Sequence, residues 1–167
     1  MDKQQFWQLV EAARNQASNP NDGEAVARRA TLLLASRPVE EIIAAEQVLW
    51  DLMADSCSNP LWAAACIANG GCSDDGFDYF RAWLIAQGRE VFERAVADPD
   101  ALAELPIVQA CASAGVDLEG EDMQGIAWNA HISAAGVQLP ASPPTIRHPQ
   151  LDPTWNFDFD DRAPQRR

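Results

Sequence analysis

The fold is decided by residues 38–53, which read PVEEIIAAEQVLWDLM. Apolar residues recur there at steps of three and four, which is the period of an amphipathic α-helix. A proline opens the segment and two acids follow it, where they complement the positive end of the helix dipole. The pattern predicts a helix that turns one set of side chains inward, namely Val39, Ile42, Ile43, Leu49, Trp50 and Met53. It predicts a second set in water, namely Glu40, Glu41, Glu46 and Asp51.

The same period continues on both sides of this segment, while strand signals are almost absent. It predicts further helices over residues 3–18, 22–37, 61–68, 73–87, 91–97 and 122–135, with a short helical turn over 98–105. Asn59 and Ser73 are expected to cap two of them, since short polar side chains accept the first backbone N–H groups of a helix. No element is predicted over residues 107–120. We therefore expect an all-α fold, a single compact domain of six to eight helices over residues 1–139.

Residues 140–167 have a different composition, because they hold six of the eleven prolines. A proline-rich polar segment cannot pack as a helix, so an extended tail is expected. Aromatic side chains alternate there with polar ones, and alternation places one set on one face of an extended chain. Trp155, Phe157 and Phe159 are therefore predicted to dock the tail on the helical domain.

The net charge of the chain limits the classes of molecule that it is expected to bind. The chain has 25 acidic and 12 basic residues, a formal net charge of −13. Such a surface repels phosphate backbones and anionic lipid headgroups, so neither nucleic acid nor membrane is an expected partner. A basic protein remains a candidate partner. No apolar run approaches the roughly 20 residues that span a bilayer, and no signal peptide is recognisable, so a cytoplasmic location is expected.

Four cysteines are spaced by 9, 6 and 39 positions, at Cys57, Cys66, Cys72 and Cys111. This spacing fits neither paired zinc ligands nor a small secreted disulfide framework. Most of them have alanine or isoleucine neighbours. They are predicted to be reduced thiols that pack as small apolar side chains.

A candidate binding surface begins where the segment Gly70-Gly71-Cys72-Ser73-Asp74-Asp75-Gly76 leads into a helix. Acids at the positive end of that helix would repel a phosphate, so an arginine or lysine of another protein is the better complement. We predict that this surface comprises Ser73, Asp74, Asp75, Asp78, Tyr79, Arg81 and Trp83. The alternative is a purely structural helix start, with capping by Ser73 and an ion pair between Asp78 and Arg81.

Catalytic chemistry has weaker support. Asp74 and Asp78 share a helix face, so with Asp75 they could hold a divalent cation, but the oxygen series of a calcium loop is missing. Nucleophilic catalysis would need Cys72 and His131 to form a pair. A histidine in the position of His131 is more commonly a half-buried structural residue. No metal and no cofactor is predicted.

The run from Gly70 to Gly88, with Asp2-Lys3-Gln4-Gln5-Phe6-Trp7 and Ala97-Asp98-Pro99, resembles the bacterial domain of unknown function 4240 family. The resemblance extends from the first helix through Gly136 and Pro140, and the Trp155-Asn156-Phe157-Asp158 piece is similar to that family's C-terminal tail. It implies an all-helical domain, sometimes found beside modules linked to the regulation of molybdate metabolism. It implies no activity and no catalytic residues.

Two functions remain open at this point. The first is a non-enzymatic interaction or regulatory protein, an accessory factor or inhibitor, that uses the acidic surface around Ser73–Arg81. The second is a small-molecule or divalent-metal-dependent enzyme that uses Asp74, Asp75 and Asp78. The sequence does not predict an oligomeric state.

Overall fold

A computed structural model of the chain describes residues 1–139 and 144–155. Within these ranges the chain forms helices and no strand, so the predicted all-α class is confirmed. The α-helices are α1 (Lys3–Gln16), α2 (Gly23–Ala35), α3 (Val39–Asp55), α4 (Asn59–Asn69), α5 (Asp74–Ala86), α6 (Arg89–Ala97), α7 (Pro106–Ala114), α8 (Glu121–Gln124) and α9 (Ile126–Ala135). A 3₁₀ helix (Pro99–Glu104) lies between α6 and α7. No helix in the described part of the chain is both long and apolar enough to cross a bilayer.

Helix α5 lies at the centre of the domain. Every residue from Phe80 to Gly88 is buried, and the helix packs against α2, α3, α4, α6 and α8. A helix that is apolar on nearly all sides can be stable only when other elements surround it. On one side of the domain, α9 packs against α2 and α3, and α1 packs against α2. Five of the other helices therefore pack directly against α5.

Helix α3 follows the predicted pattern with two exceptions. Ile42, Leu49 and Met53 are buried as expected, but Ile43 is 37% exposed. Neighbouring residues on a helix point about 100° apart, and here Ile42 faces the core while Ile43 points towards its margin. Glu46 was expected in water, yet it is half-buried, and its Oε1 accepts a hydrogen bond from the Trp50 indole at 2.9 Å. Burial raises the pKa of the Glu46 carboxyl.

One of the two predicted helix caps is confirmed and the other is wrong. Ser73 caps α5 as expected, and its hydroxyl accepts the backbone N–H of Gly76 at 3.1 Å. The cap of α4 is Ser58 rather than Asn59, since the Ser58 hydroxyl accepts the N–H of Leu61 at 3.3 Å. Asn59 instead bonds to the backbone of Asp152 in both directions, at 2.7 and 3.1 Å. The prediction was wrong by one residue because the pattern Ser-Asn-Pro offers two possible caps.

The region after the 3₁₀ helix also departs from the sequence prediction. Helix α7 was not predicted, although Pro106 occupies its first turn, where a missing N–H costs nothing. The single helix expected over 122–135 is divided at Gly125 into α8 and α9. Gly136 ends α9 in the left-handed conformation, with a φ of 70°, as its position after the last apolar residue predicted. These two differences account for the larger number of helices.

We call residues 144–155 the C-terminal strap. It has no regular secondary structure and runs along α3 to the start of α4. Thr145 exchanges two hydrogen bonds with the side chain of Gln47, at 2.8 and 3.0 Å. Arg147 donates to Asp55 at 2.8 Å, and the pair with Asn59 holds Asp152. Phe157 and Phe159, which were predicted to dock the tail, lie outside the described residues.

The segment that joins α7 to α8 (residues 115–120) crosses α5 at close range. The Gly120 N–H donates to the carbonyl of Tyr79 at 3.0 Å. A Cβ at Gly120 would lie 2.7 Å from the backbone N and Cα of Trp83. The φ of Gly120 is −149°, so glycine is required here by contact and not by a positive φ. Gly120 therefore fixes residues 115–120 to α5.

Substitution of this glycine tests the contact. Gly120→Ala should lower the free energy of unfolding by about 2 kcal/mol or more, because neither backbone can yield easily. Gly125→Ala is the matched control: its Cβ would meet the flexible Asn129 amide at 3.3 Å, and the change should stay below about 1 kcal/mol. Urea unfolding of both variants gives the comparison, and equal losses would contradict the close-contact explanation.

Candidate functional site

The residues predicted to form a binding surface separate into an exposed group and a buried group. Ser73, Asp74 and Asp75 are exposed at the start of α5, and Asp78 and Tyr79 are partly exposed one turn later. Five of the seven predicted positions, over the first two turns of the helix, are thus exposed or partly exposed. The remaining two positions are buried.

Arg81 is one of the buried positions, with 8% of its surface exposed. Its guanidinium donates to the carbonyl of Met53 and to the carboxylate of Asp78, and lies 4.8 Å from the ring centroid of Phe77. Its Nε is buried without a hydrogen-bond partner among the described residues. Arg81 therefore joins α5 to the end of α3 and is not available to a partner.

Trp83 is the second buried position, at 3% exposure. Its ring lies 5.5 Å from that of Phe80, and both Gly23 and Gly120 approach it closely. Gly23 of α2 faces the indole, and Gly120 lies against the Trp83 backbone. Trp83 thus belongs to the core, and it cannot contribute to an exposed aromatic surface.

Residues that the sequence did not associate with the site take the place of these two. Gly120 lies over α5, so its neighbours Glu119 and Glu121 come close to Tyr79. The pKa of the Tyr79 phenol is raised first by the negative charge of Glu121, then by partial burial, and further by Asp75 and Glu119. A side-chain hydrogen bond to Glu121 acts in the same direction.

Asp117 belongs to the same group of charges. The pKa of the Cys72 thiol is raised to about 12, first by burial, then by Cys66, and then by Glu119 and Asp117. Cys72 precedes the cap of α5, so Asp117 and Glu119 both lie near the start of that helix. We call Asp75, Glu119 and Glu121, which lie around Tyr79, together with Asp117, which lies near Cys72, the acidic cluster.

The charge of the acidic cluster is not compensated within the described part of the chain. None of its four carboxylates forms an ion pair with a basic side chain of residues 1–139 or 144–155, whereas Asp51, Asp55 and Asp78 all do. A cation about 4 Å from a carboxylate gains roughly 1 kcal/mol in water and about 4 kcal/mol near a protein surface of lower polarity. The four carboxylates therefore leave this part of the surface negatively charged.

Several helix ends lie close to the acidic cluster. The Asn69 amide at the end of α4 accepts the N–H of Leu118 at 2.9 Å and donates to its carbonyl at 3.5 Å. Helix α7 ends at Ala114, shortly before the same residue. The C-terminal end of a helix carries a partial negative charge. The end of α4 therefore lies beside Leu118, between Asp117 and Glu119, whereas Asp75 and Glu121 lie at the positive N-terminal ends of α5 and α8.

The cysteines near this site are free thiols. The Sγ of Cys66 donates to the carbonyl of Cys72 at 3.6 Å, and burial raises the pKa of both thiols. A thiol of raised pKa is a poor nucleophile because little thiolate forms near neutral pH. The environment of Cys72 thus opposes a role as an activated nucleophile.

His131, the other residue of the predicted catalytic pair, is 3% exposed on α9. Its ring Nδ1–H donates to the carbonyl of Val137 at 2.9 Å, just beyond the end of that helix. This contact helps to fold the chain back after Gly136. The histidine therefore has a structural partner.

The metal-site hypothesis was based on Asp74, Asp75 and Asp78. Asp78 is engaged by the Arg81 guanidinium, which would oppose a cation at the same oxygen atoms. Among residues 1–139 and 144–155, no group of three or more His, Cys, Asp or Glu side chains is arranged to hold a metal ion. The acids at the start of α5 therefore lack the convergence that a hard cation requires.

The electrostatics of the acidic cluster can be measured directly, because Tyr79 is the single tyrosine of the chain. Ultraviolet difference titration should give Tyr79 a pKa above the ordinary value of about 10. Glu121→Gln should lower that pKa, since it removes the charge with the largest effect. Glu93→Gln, which neutralises a carboxylate paired with Arg89, should leave it unchanged. An ordinary pKa in the unaltered protein would contradict the described arrangement.

The buried guanidinium gives a second test. Arg81→Lys keeps the charge but cannot reach Met53 and Asp78 together, so unfolding should require about 1–3 kcal/mol less. Arg89→Lys is the control, because Arg89 and Glu93 are both about half exposed and such pairs contribute less than about 1 kcal/mol. Thermal unfolding measures both changes, and similar small effects would show that Arg81 is not a structural connector.

Comparison with known proteins identifies the family to which the chain belongs. No curated protein and no solved structure matches the chain at a significant level. Residues 1–132 match the family model described as a protein of unknown function, DUF4240. The matched range includes α5, the segment 115–120 and every residue of the acidic cluster, and it ends within α9 before the C-terminal strap. Because it covers well over half of the chain, this protein belongs to the DUF4240 family.

Proposed function

We propose that this protein is a non-enzymatic binding protein that receives a basic segment of a partner protein at the acidic cluster. The observation that carries the proposal is the negative charge of Asp75, Glu119 and Glu121 near Tyr79, with Asp117 near Cys72, without an ion-pairing partner for any of the four among the described residues. A cationic group placed here would be attracted by several carboxylates at once.

The chemistry of the cluster favours arginine and lysine side chains over other cations. Carboxylates on both a helix turn and a neighbouring loop can accept several N–H donors at different angles, as a guanidinium presents them. Tyr79 adds an aromatic face, which attracts cations. The net charge of −13 increases the rate of encounter with basic proteins and opposes nucleic acids. A regulatory role, as an accessory factor or inhibitor, is consistent with such binding.

The alternative was a metal-dependent or small-molecule enzyme using Asp74, Asp75 and Asp78. No observation favours it, since Asp78 is held by Arg81 and the Cys72 thiol has a raised pKa. The interaction proposal is therefore the one that we retain.

A fluorescent peptide of alternating arginine and serine provides the test. Its anisotropy titration with the full chain should show saturable binding at low salt that weakens strongly at higher ionic strength. Glu119→Gln with Glu121→Gln should weaken binding by about tenfold, which corresponds to about 1.4 kcal/mol.

The control is the double variant Glu93→Gln with Glu104→Gln. It changes the net charge equally, but these carboxylates already pair with Arg89 and Arg94. Its affinity should remain close to that of the unaltered protein. Equal losses in the two double variants would show attraction to net charge alone, and absence of binding would reject the proposal.

A further inference from the structure

An apolar groove lies between α4, the 3₁₀ helix and α7, and has a volume of about 640 Å³. Ile67, on the α4 side, is 77% exposed although it is a large apolar side chain. Leu102 of the 3₁₀ helix and Val108 of α7 also line the groove. Exposed apolar surface of this kind is typical of an interaction site.

The groove leads towards the acidic cluster along both of its α-helices. On α4, Ala68 lines the groove, and the amide of the next residue, Asn69, bonds to the backbone of Leu118 at 2.9 and 3.5 Å. On α7, Ala112 lines the groove, and Asp117 follows it by five residues in the sequence. Because Asp117 directly precedes Leu118, the groove and the acidic cluster adjoin each other.

The opposite end of the groove is bounded by the C-terminal strap. Asp152 exchanges two hydrogen bonds with Asn59, the first residue of α4, and Trp155 and Pro60 both line the groove. From Pro60 to Ala68, α4 advances about 12 Å at 1.5 Å per residue. The groove is therefore long enough for about two turns of a helix from another chain.

The polar groups of the groove lining are few, which favours a helical ligand. The amide N–H of Gln109 already donates to the carbonyl of Ala103 at 2.8 Å, and no strand edge is present in the described part of the chain. A segment bound in extended form would leave backbone N–H and C=O groups without partners, which is costly. A helix satisfies its own backbone groups and presents apolar side chains three and four residues apart on one face.

The margin of the groove favours a basic ligand. Asp98 and Asp100 line the groove and are exposed, and neither forms an ion pair with a basic side chain among the residues that the structure describes. With the acidic cluster beyond Ala68, acids lie both beside and at the end of an apolar surface. Basic residues of a bound helix would complement them. A second copy of this chain, with a net charge of −13, would bring further acids to the same margin.

From these observations we infer that the groove and the acidic cluster together receive an amphipathic, basic helix of a partner protein. The apolar face of that helix covers Ile67, and its basic residues lie against Asp98, Asp100 and the acidic cluster. The inference rests on the proposed function and extends it, because it names the structural class of the partner segment.

Two fluorescent peptides with the same number of arginines test the inference. The first is a helical peptide of about 16 residues with leucines at steps of three and four and arginines at its C-terminal end, where cations also stabilise the helix. The second is the peptide of arginine and serine, which has no apolar face. In anisotropy titrations with the full chain, the helical peptide should bind about tenfold more tightly or better, because its leucines bury apolar surface in the groove.

Variants of the protein locate this gain. Ile67→Ser should remove most of the advantage of the helical peptide and leave the affinity for the arginine-serine peptide unchanged. Leu32→Ser is the matched control, since Leu32 is 60% exposed on α2 and the groove is lined by other elements. It should change neither affinity. Glu119→Gln with Glu121→Gln should weaken the binding of both peptides, because both present arginines to the acidic cluster.

The outcomes separate this inference from the proposed function. If the arginine-serine peptide depends on Glu119 and Glu121 but the helical peptide has no advantage, or keeps its advantage in Ile67→Ser, the proposed function stands and the inference is overturned. If neither peptide binds, or if neither responds to the glutamine substitutions, both are overturned. A dimer in sedimentation velocity that Ile67→Ser dissociates would assign the groove to a second copy and would also overturn the inference.

Discussion

The contact between Gly120 and Trp83 is the constraint on which the site depends. Helix α5 is stable only when its apolar surface is covered on nearly all sides, and residues 115–120 provide part of that cover. The backbone at Gly120 reaches α5 because it has no side chain. This approach also brings Glu119 and Glu121 to the exposed first turns of the helix, so the packing that buries Trp83 assembles the acidic cluster.

The fold tolerates this concentration of charge because its stability comes from elsewhere. The core consists of apolar side chains from α1 to α9, and most ion pairs of the described chain lie on the surface, where each contributes little. The acidic cluster is thus carried on a domain that apolar burial stabilises. The raised pKa of Tyr79 reflects the nearby negative charge, because a phenolate would add a further negative charge.

The sequence predicted most helices because periodic apolar residues and caps are local signals. Ser73 is an example: both its role and the helix that it begins follow from neighbouring residues. Helix α7 was missed because its alanine-rich pattern has a weak polar face, although Pro106 was a usable signal. The helix is divided at Gly125 because α8 and α9 pack against different helices. The periodicity of apolar residues does not predict this tertiary packing.

The candidate site was predictable only in part, for a physical reason. Asp74 and Asp75 follow a cap and are exposed, and Tyr79 is partly exposed, as local pattern indicates, whereas Arg81 and Trp83 are buried by contacts with α3 and with Gly120. Asp117, Glu119 and Glu121 are about 40 positions from Tyr79 in sequence, and only the tertiary fold brings them together. Gly120, between Glu119 and Glu121, was the one available signal that this segment lies close to another part of the chain, since glycine permits close backbone approach.

Native-state hydrogen exchange at the Gly120 amide tests this central contact most directly. That N–H donates to the Tyr79 carbonyl at 3.0 Å against a buried helix. If the contact holds residues 115–120 on α5, the amide should exchange only with an opening free energy close to that of core amides such as Leu84. Exchange as fast as that of the exposed amides in the same segment would show that the segment is not fastened to α5, and would contradict the account.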